Sequence, residues 1–356
     1  MFTKGTVLLQ HKEPALSRPI IRFVNPQTDA LRLEERPAAD PDHITGEEII
    51  QAARLAQIVD ERDGKPLFRK LMKAIRNKAE IIIVDAVDDE PYVSSQLGPL
   101  LKCSDEVLSG LQLCQKAVGS TESIIAVYKM LTDLEVRIPA FIGPVPVLRL
   151  RGGYPAEPRY VKLSGLAQQR KLLVGSCALI HLHRAVHQAK RQTSVFVTVA
   201  GNCVANAANY EVSIGMTVTQ LLERVGLVGQ PSRIVCGGPM TGVAVIDCDR
   251  TTITSSTRAI LAFAENSRDG HYRCIGCGRC EQVCPAGLNP MYIYKFVEHS
   301  YYRDLETFDP DLCIGCGTCS YICPSKLDVS LAVEKAGRLV KSSRMTTEEE
   351  VEGFED

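Results

Sequence analysis

The chain has 356 residues, 45% of them hydrophobic and 23% charged, which is typical of a globular protein with two or three domains. The formal net charge of -1, with no evident basic face, argues against nucleic acid as a partner. No segment reaches the ~18 apolar residues of a membrane-spanning helix, and the N-terminus has no secretory signal pattern. We therefore expect a cytoplasmic protein whose association with the inner face of the cell membrane, if any, comes through partners.

The N-terminal residues 1–44 are rich in proline and charge, which predicts an extended or loosely packed arm with one β-like stretch at Pro19–Val24. A new pattern begins at Thr45. This residue stands three positions before Glu48, which is the spacing of a capping box, and apolar residues then recur at helical intervals. We therefore predict a helix that begins after Thr45 and gives way to the polar run 60–64.

Residues 45–192 have the alternating strands and helices of a doubly wound α/β domain. The run Ile81–Val87 is continuous and β-branched, as in a strand buried on both faces of a parallel sheet. Further predicted elements are a helix over 104–118, a strand over 145–150 and a helix over 175–192. A helical pattern at Glu122–Leu134 overlaps a strand candidate at Ile124–Val127, so one of these two predictions must be wrong.

Between residues 193 and 262 the pattern changes to short strands around one helix, which predicts a β-grasp module. The segment Val195–Gly201 alternates with period two, and a second strand, a helix and the strand Arg233–Gly238 follow it. The loop Gly237–Gly242 is tightly turned. It is either a nest for a phosphate group or a plain structural turn, and a lone glycine cluster favours the turn.

Eight of the fourteen cysteines lie in two copies of one motif, CIGCGRCEQVCP at Cys274–Pro285 and CIGCGTCSYICP at Cys313–Pro324. Both have the spacing C-x2-C-x2-C-x3-C-P of ferredoxins with two [4Fe-4S] clusters, in which the fourth cysteine of each motif reaches the other cluster. The predicted ligands are Cys274, Cys277, Cys280 and Cys323 for one cluster and Cys313, Cys316, Cys319 and Cys284 for the other. Residues 263–340 are accordingly predicted to form an α-helical, ferredoxin-like dicluster domain that carries electrons.

Zinc and disulfides fit these cysteines less well than clusters do. Structural zinc needs four ligands and leaves the regular third and fourth positions of each motif unexplained, while a reducing cytosol disfavours disulfides. The other six cysteines lack ligand spacing and are predicted to be buried free thiols: Cys103, Cys114, Cys177, Cys203, Cys236 and Cys248. His183 and His187 lie four residues apart on a predicted helix, which suits a divalent metal or, more simply, a polar helix face.

Between the motifs, Asn289 and Pro290 are the residue types favoured at the N-cap and first position of a helix, and an aromatic segment, 291–302, continues it. We predict that these aromatic side chains cover the clusters and exclude water, in preference to acting as stepping stones for electrons. The acidic end of the chain, 341–356, is predicted to be a solvated tail.

The order of several segments over residues 45–340 resembles the RnfC family, which forms the C subunit of the Rnf-type ion-translocating ferredoxin:NAD oxidoreductase. These segments are TVAGNCVANAANYEVSIG at 198–215, GGPMTG at 237–242, VDAVDDEPYV at 84–93 and the paired cysteine motifs. The resemblance implies an α/β domain like the flavin and NADH module of respiratory complex I and a β-grasp of the soluble-ligand-binding (SLBB) type. It also implies partners, namely a ferredoxin-like donor or acceptor and other subunits of an oxidoreductase complex.

The chain departs from the family in one loop. Where the family has a glycine-rich segment, residues 60–70 read DERDGKPLFRK, with Gly64 as the one glycine and three carboxylates, Asp60, Glu61 and Asp63. Because glycines let the backbone approach a phosphate or flavin, binding of FMN and NADH is predicted to be weak or lost. The resemblance thus implies a shortened member of the family with a degenerate glycine-rich loop.

The sequence supports three functional hypotheses. The first is an electron-transfer subunit whose clusters relay single electrons between redox partner proteins, with the α/β domain as a docking scaffold and no catalytic residues. The second is a flavin-dependent NADH:acceptor oxidoreductase that uses Lys65, Lys70 and Glu90 in the altered loop. The third is a structural subunit of a redox complex.

Overall fold

The computed structural model describes residues 13–33, 43–128, 138–150, 154–156, 169–264 and 272–352. The chain divides into two compact units between Glu265 and Asn266. The first unit holds the α/β and β-grasp regions, and the second holds both cysteine motifs. None of the described helices combines the length with the hydrophobicity that a membrane-spanning segment needs.

The first described segment packs onto the first unit and is not the loose arm that its composition predicts. It contains helix α1 (Glu13–Ser17), strand β1 (Ile21–Phe23) and helix α2 (Pro26–Asp29). Leu16 and Leu33 are buried in the main core, and β1 adds a parallel strand to the β-grasp sheet. The β-like stretch predicted at Pro19–Val24 therefore exists. The burial of a few leucines stabilises a packed segment in spite of its polar, proline-rich composition.

The predicted capping box begins helix α3 (Gly46–Leu55). The Thr45 hydroxyl accepts a hydrogen bond from the Glu48 amide, and the Glu48 carboxylate accepts one from the Thr45 amide at 2.7 Å. The helix ends four residues earlier than predicted, because strands β2 (Val59–Asp60) and β3 (Lys65–Pro66) form a hairpin around the polar run. Helix α4 (Leu67–Arg76) follows the hairpin.

The α/β region is built on a sheet of strands β4 (Ile81–Ala86), β5 (Glu122–Tyr128), β6 (Phe141–Ile142), β7 (Val145–Leu150) and β8 (Lys171–Gly175). In the described residues their order is β6-β7-β5-β4-β8. As predicted, β4 is buried at every position and runs parallel to both of its neighbours. The chain leaves β4 towards β5 on one side and returns to β8 on the other, so a topological switch point lies between β4 and β8.

The helices of this region are α5 (Leu97–Lys102), α6 (Ser104–Val118) and α7 (Ser176–Gln188). The strand candidate at Ile124–Val127 is confirmed, and the competing helix is wrong over residues 122–128, where parallel pairing with β4 and β7 fixes an extended backbone. Its remainder, 129–134, lies outside the described residues. The predicted helix over 175–192 begins at Ser176 and ends at Gln188, and the sequence missed strand β8 before it.

The β-grasp region contains strands β9 (Ser194–Ala200) and β10 (Ala208–Ser213), helix α8 (Val218–Val225), and strands β11 (Arg233–Cys236), β12 (Val243–Ala244) and β13 (Ala259–Phe263). Together with β1 they form a sheet of order β1-β10-β9-β13-β11-β12 among the described residues. The predicted strands and helix are confirmed. The sequence missed β13, a fully buried strand that runs parallel to β9 in the middle of this sheet.

The second unit is helical. It contains α9 (Arg279–Gln282), α10 (Pro290–Glu298), two short 3-10 helices (Leu305–Phe308 and Pro310–Leu312), α11 (Thr318–Ile322) and α12 (Val329–Glu352). Asn289 occupies the N-cap position of α10 as predicted, although its side chain makes no capping hydrogen bond. Helix α12 continues to Glu352, so most of the predicted solvated tail is helical.

Candidate metal centres and the switch-point crevice

The eight cysteines of the two motifs line two cavities in the second unit. One cavity is lined by Cys274, Cys277 and Cys280 of the first motif together with Cys323 of the second. The other is lined by Cys313, Cys316 and Cys319 of the second motif together with Cys284 of the first. Each has an empty volume of about 360 Å³. The structure thus brings the fourth cysteine of each motif to the first three of the other.

Two glycines in each motif make the turns that bring three sulfurs to one cavity. Gly276 and Gly278 have φ angles of 67° and 66°, and Gly315 and Gly317 have φ angles of 66° and 69°. Side chains other than glycine rarely adopt these left-handed values. The short helices α9 and α11 begin directly after the second glycine of each motif, so the two copies share one backbone geometry.

Apolar side chains form part of the walls of both cavities. Tyr294, Leu327 and Val329 line the first cavity, and Leu288 and Val333 line the second. Tyr294, on α10, has the covering position that the aromatic segment predicts. The aromatic cover is only partial, however, because other tyrosines of the segment are largely exposed, namely Tyr292, Tyr301 and Tyr302.

The sulfur environments differ in detail. Burial, followed by the neighbouring Cys316, raises the pKa of the Cys319 thiol to about 12, so this thiol is neutral at physiological pH unless a bound cation stabilises the thiolate. The amide of Gly315 donates a hydrogen bond to Cys313 Sγ at 3.4 Å, and Thr318 Oγ1 lies 3.2 Å from Cys316 Sγ. Both contacts belong to the second motif.

The arrangement of these sulfurs does not suit a single ion. In the part of the chain that the structure describes, no three His, Cys, Asp or Glu side chains converge closely enough to hold one metal ion. Sulfurs that surround a cavity fit a multi-iron cluster better than the tetrahedral zinc alternative. His183 and His187, the other candidate metal ligands, have ring centroids 4.4 Å apart, and both lie within hydrogen-bond distance of Ser109 Oγ.

The six remaining cysteines lie apart from these cavities. Cys114, Cys177 and Cys203 are buried, as predicted, whereas Cys103, Cys236 and Cys248 are partly exposed.

A second candidate site lies at the topological switch point of the first unit, where the first amides of α7 point outward from the end of β8. Such helix ends commonly bind phosphate groups, because their free amides and the helix dipole both favour an anion. Here the Gly175 amide donates to both carboxylate oxygens of Asp60 at 3.2 Å. The Ser176 amide donates to Gln96 Oε1 at 3.1 Å, and the Cys177 amide donates to Glu61 Oε1 at 3.2 Å. The chain's own side chains therefore occupy all three amides.

The space and the charge of the crevice also oppose a phosphate. A Cβ atom added at Gly175 would lie 2.4 Å from Glu61 Oε1, which shows how closely this carboxylate approaches the backbone. The cations nearby are paired, as the ion pairs Lys70–Asp60, Arg62–Asp85 and Arg258–Asp88 show. The residues at this helix end consequently do not fit the phosphate of a flavin or nicotinamide nucleotide.

The buried carboxyl of Glu61 resists ionisation. Burial raises the pKa of this carboxyl to about 7, and the neighbouring carboxylate of Asp60 adds to the effect. Its Oε2 atom has no hydrogen-bond partner among the described residues. A proton on Glu61 at or below neutral pH relieves both the repulsion from Asp60 and the cost of burying a second negative charge.

The glycine loop of the β-grasp region also holds a carboxylate of this chain. The amides of Met240 and Thr241 donate to Glu90 Oε2 at 2.8 and 3.2 Å, and the Thr241 hydroxyl donates to Glu90 Oε1. A Cβ atom at Gly238 would lie only 2.0 Å from the same carboxylate. The loop is therefore a turn that binds an anion, and its anion is Glu90.

Two family profiles match the chain. The profile described as "4Fe-4S dicluster domain" matches residues 273–327, and the profile "SLBB domain" matches residues 196–244. Among solved structures, the NAD+-reducing [NiFe]-hydrogenase in its H2-reduced state aligns with 88% of this chain and 63% of its own, with a TM-score of 0.50 and 15% identity. That likeness shows a shared fold, as expected of a flavoprotein-like α/β domain joined to a β-grasp.

Curated relatives align with about two thirds of this chain or more. The chain is 29% identical over 259 residues to the C subunit of the proton-translocating ferredoxin:NAD(+) oxidoreductase complex of Clostridium ljungdahlii, covering 67% of this chain and 56% of that protein. It is 26% identical over 275 residues to the C subunit of the ion-translocating oxidoreductase complex of Rhodobacter capsulatus, covering 71% and 52%. The chain thus spans about half the length of these relatives. It is an RnfC-like iron–sulfur protein, a relative of the C subunits of the ion-translocating oxidoreductase complexes.

Proposed function

We propose that this chain relays single electrons through two [4Fe-4S] clusters between redox partner proteins, as a subunit of an Rnf-type oxidoreductase complex. The observation that supports the proposal is that Cys323 lines one cavity with the first three cysteines of the first motif, while Cys284 lines the other cavity with those of the second. One cluster is held by Cys274, Cys277, Cys280 and Cys323, and the other by Cys313, Cys316, Cys319 and Cys284. Each cluster, when bound, accepts and returns one electron.

The exchange also keeps the two clusters close together. Cys280 and Cys284 are four residues apart yet line different cavities, and the same is true of Cys319 and Cys323. Four residues of chain span at most about 14 Å even when fully extended, so a short piece of chain joins the two sites at each crossing. Apolar side chains line part of each cavity beside the sulfurs. Together these features support passage of an electron from one cluster to the other within this unit.

Electrons enter and leave through partner proteins in this proposal, because among the described residues the amides at the switch point are already bound to side chains of the chain itself. The acceptors are Asp60, Glu61 and Gln96. The same contacts weigh against a flavin-dependent NADH oxidoreductase, since Lys70 and Glu90, which that hypothesis needs, are engaged within the chain. The partners are a ferredoxin-like carrier and other subunits of the complex, through which the chain associates with the membrane surface.

Anaerobic reconstitution tests the proposal. The loaded chain is expected to hold eight irons and to be reduced in two one-electron steps, each giving an electron paramagnetic resonance (EPR) signal of a reduced [4Fe-4S] cluster. A count of four irons would contradict the two-cluster assignment. Eight irons that no low-potential ferredoxin or chemical reductant can reduce would favour the structural role.

A further inference from the structure

The two cysteine motifs share one backbone geometry but differ beside a ligand sulfur. The residue that follows the second glycine is Arg279 in the first motif and Thr318 in the second. Each begins a short helix, and each follows a glycine of nearly equal φ, 66° at Gly278 and 69° at Gly317. The two side chains therefore start from equivalent positions relative to their cavities.

Only the side chain of the second motif contacts a ligand sulfur. Thr318 Oγ1 lies 3.2 Å from Cys316 Sγ, within hydrogen-bond distance for sulfur. A cysteine bound to iron is a thiolate without a proton, so the hydroxyl must be the donor. Arg279 is exposed and makes no hydrogen bond to a ligand sulfur within the described residues, and Cys277 beside it is exposed, whereas Cys316 is partly covered.

We propose that the Thr318 hydroxyl sets the reduction potential of the cluster held by Cys313, Cys316, Cys319 and Cys284, and makes that cluster easier to reduce. This inference rests on the proposed function, since it requires a cluster at this site. A reduced cluster carries one more negative charge, shared by its sulfurs, so a donor to Cys316 Sγ stabilises the reduced form more than the oxidised form. Thr318 is a positioning residue that acts on the iron through the sulfur.

The contact between Thr318 and Cys316 gives the two clusters different environments. The Gly315 amide also donates to a sulfur of this cluster, but a backbone group stays in place whatever the side chain is. The hydroxyl of Thr318 is therefore the part of this environment that the sequence can change without altering the turn.

The test is a redox titration of the loaded chain followed by EPR. Thr318→Val keeps the branched shape and removes the donor. One of the two midpoint potentials is expected to fall, so that the ratio of reduced to oxidised cluster at a fixed ambient potential drops about tenfold, equivalent to about 59 mV for one electron. The other potential stays at its wild-type value. Thr318→Ser keeps the hydroxyl and is expected to retain both wild-type potentials.

Ser320→Ala is the matched control, because this hydroxyl lies in the same short helix but bonds to Ser330 Oγ at 2.8 Å. It should leave both potentials unchanged. If Thr318→Val does not load eight irons, Thr318→Ala is titrated in its place. Unchanged potentials, a rise, or an equal shift in Ser320→Ala would overturn the inference. Failure of the proposed function would be recognised separately. In that case the wild-type chain would lack two reducible clusters, which is measured before any variant is made.

Discussion

The two units of the molecule differ in whether their potential binding groups already have partners within the chain. In the first unit, amides of the α7 terminus and of the glycine loop are bound to side chains of the chain itself, chiefly the carboxylates of Asp60, Glu61 and Glu90. In the second unit, eight sulfurs line two cavities that protein atoms leave open. The amides that could receive an anion in the first unit are therefore bound from within, whereas the second unit keeps open the two cavities that its sulfurs line.

The largest effect expected is the loss of a whole cluster from the second unit. Cys323→Ala should lose about four irons and leave the same EPR signal as Cys274→Ala, because both remove ligands of one cluster. Cys284→Ala should instead match Cys313→Ala. The control, Cys236→Ala, changes a thiol of the first unit and should keep eight irons. A Cys323→Ala protein that resembles Cys313→Ala would show that the fourth cysteines are not exchanged.

A pH-dependent change in stability is expected in the first unit. The folded chain holds the Glu61 proton up to a pKa of about 7, whereas an unfolded glutamate releases it near 4.5. The folded state thus binds more protons between these values, and its stability falls as the pH rises through them. Glu61→Gln keeps the Oε1 acceptor but cannot ionise. Its free energy of unfolding should exceed that of the wild type by a margin that grows by about 3 kcal/mol from pH 4 to pH 8.

Thermal unfolding at several pH values measures that margin. The control is Glu223→Gln, which changes an exposed carboxylate of α8 and should have little effect at any of them. A margin for Glu61→Gln that stays constant across this range would mean that Glu61 does not keep its proton in the folded chain.

A smaller loss of stability is expected where the carboxylates of Glu61 and Asp60 approach the backbone of Gly175. The φ of Gly175 is -70°, which alanine adopts readily, so only the Glu61 and Asp60 oxygens oppose a Cβ atom there. Gly175→Ala should destabilise the first unit by about 2 kcal/mol, as overpacking of a filled site does. The measurement is thermal unfolding together with an iron count, which should remain at eight. An unchanged melting temperature would show that the crevice has room, and would weaken the contrast between the units.

The smallest effect concerns local structure that the sequence already indicates. Thr45→Ala removes the hydroxyl that caps α3 and should cost about 1 kcal/mol. Thr45→Ser retains the hydroxyl and should be close to the wild type. Denaturant unfolding of both variants distinguishes these outcomes, and equal losses in the two would assign the effect to the methyl group of Thr45 instead.

Local patterns predicted much of the fold, because they depend on neighbouring residues. The capping box at Thr45 and the β-branched run at Ile81–Val87 each gave the right element. The helix expected over Glu122–Leu134 was wrong over its described residues because the strand there is fixed by pairing with β4 and β7, which no local window contains. The burial of Leu16 was missed for the same reason.

The candidate sites show the same difference between local patterns, which the sequence reveals, and long-range contacts, which it does not. Cysteine spacing indicated which sulfurs would meet, since the motif carries its geometry within twelve residues. The hydrogen bond from the Gly175 amide to Asp60 connects residues 115 positions apart, so no local pattern could predict it. The sequence showed only that acidic residues stand where the family has glycines. The contributions of Gln96 and of the Thr318 hydroxyl were not predicted. The small residues Gly175 and Ser176, which follow an apolar run, were a local signal that a strand ends and a helix begins there.

The contrast between the units is tested most directly by adding NADH, with and without FMN, to the cluster-loaded chain under anaerobic conditions. The cluster absorbance is followed first with NADH and then with a reduced low-potential ferredoxin. We expect no bleaching with NADH and rapid bleaching with the ferredoxin, because the proposed relay takes its electrons from a protein partner. Bleaching by NADH alone would contradict this account and establish a working nucleotide site in the first unit.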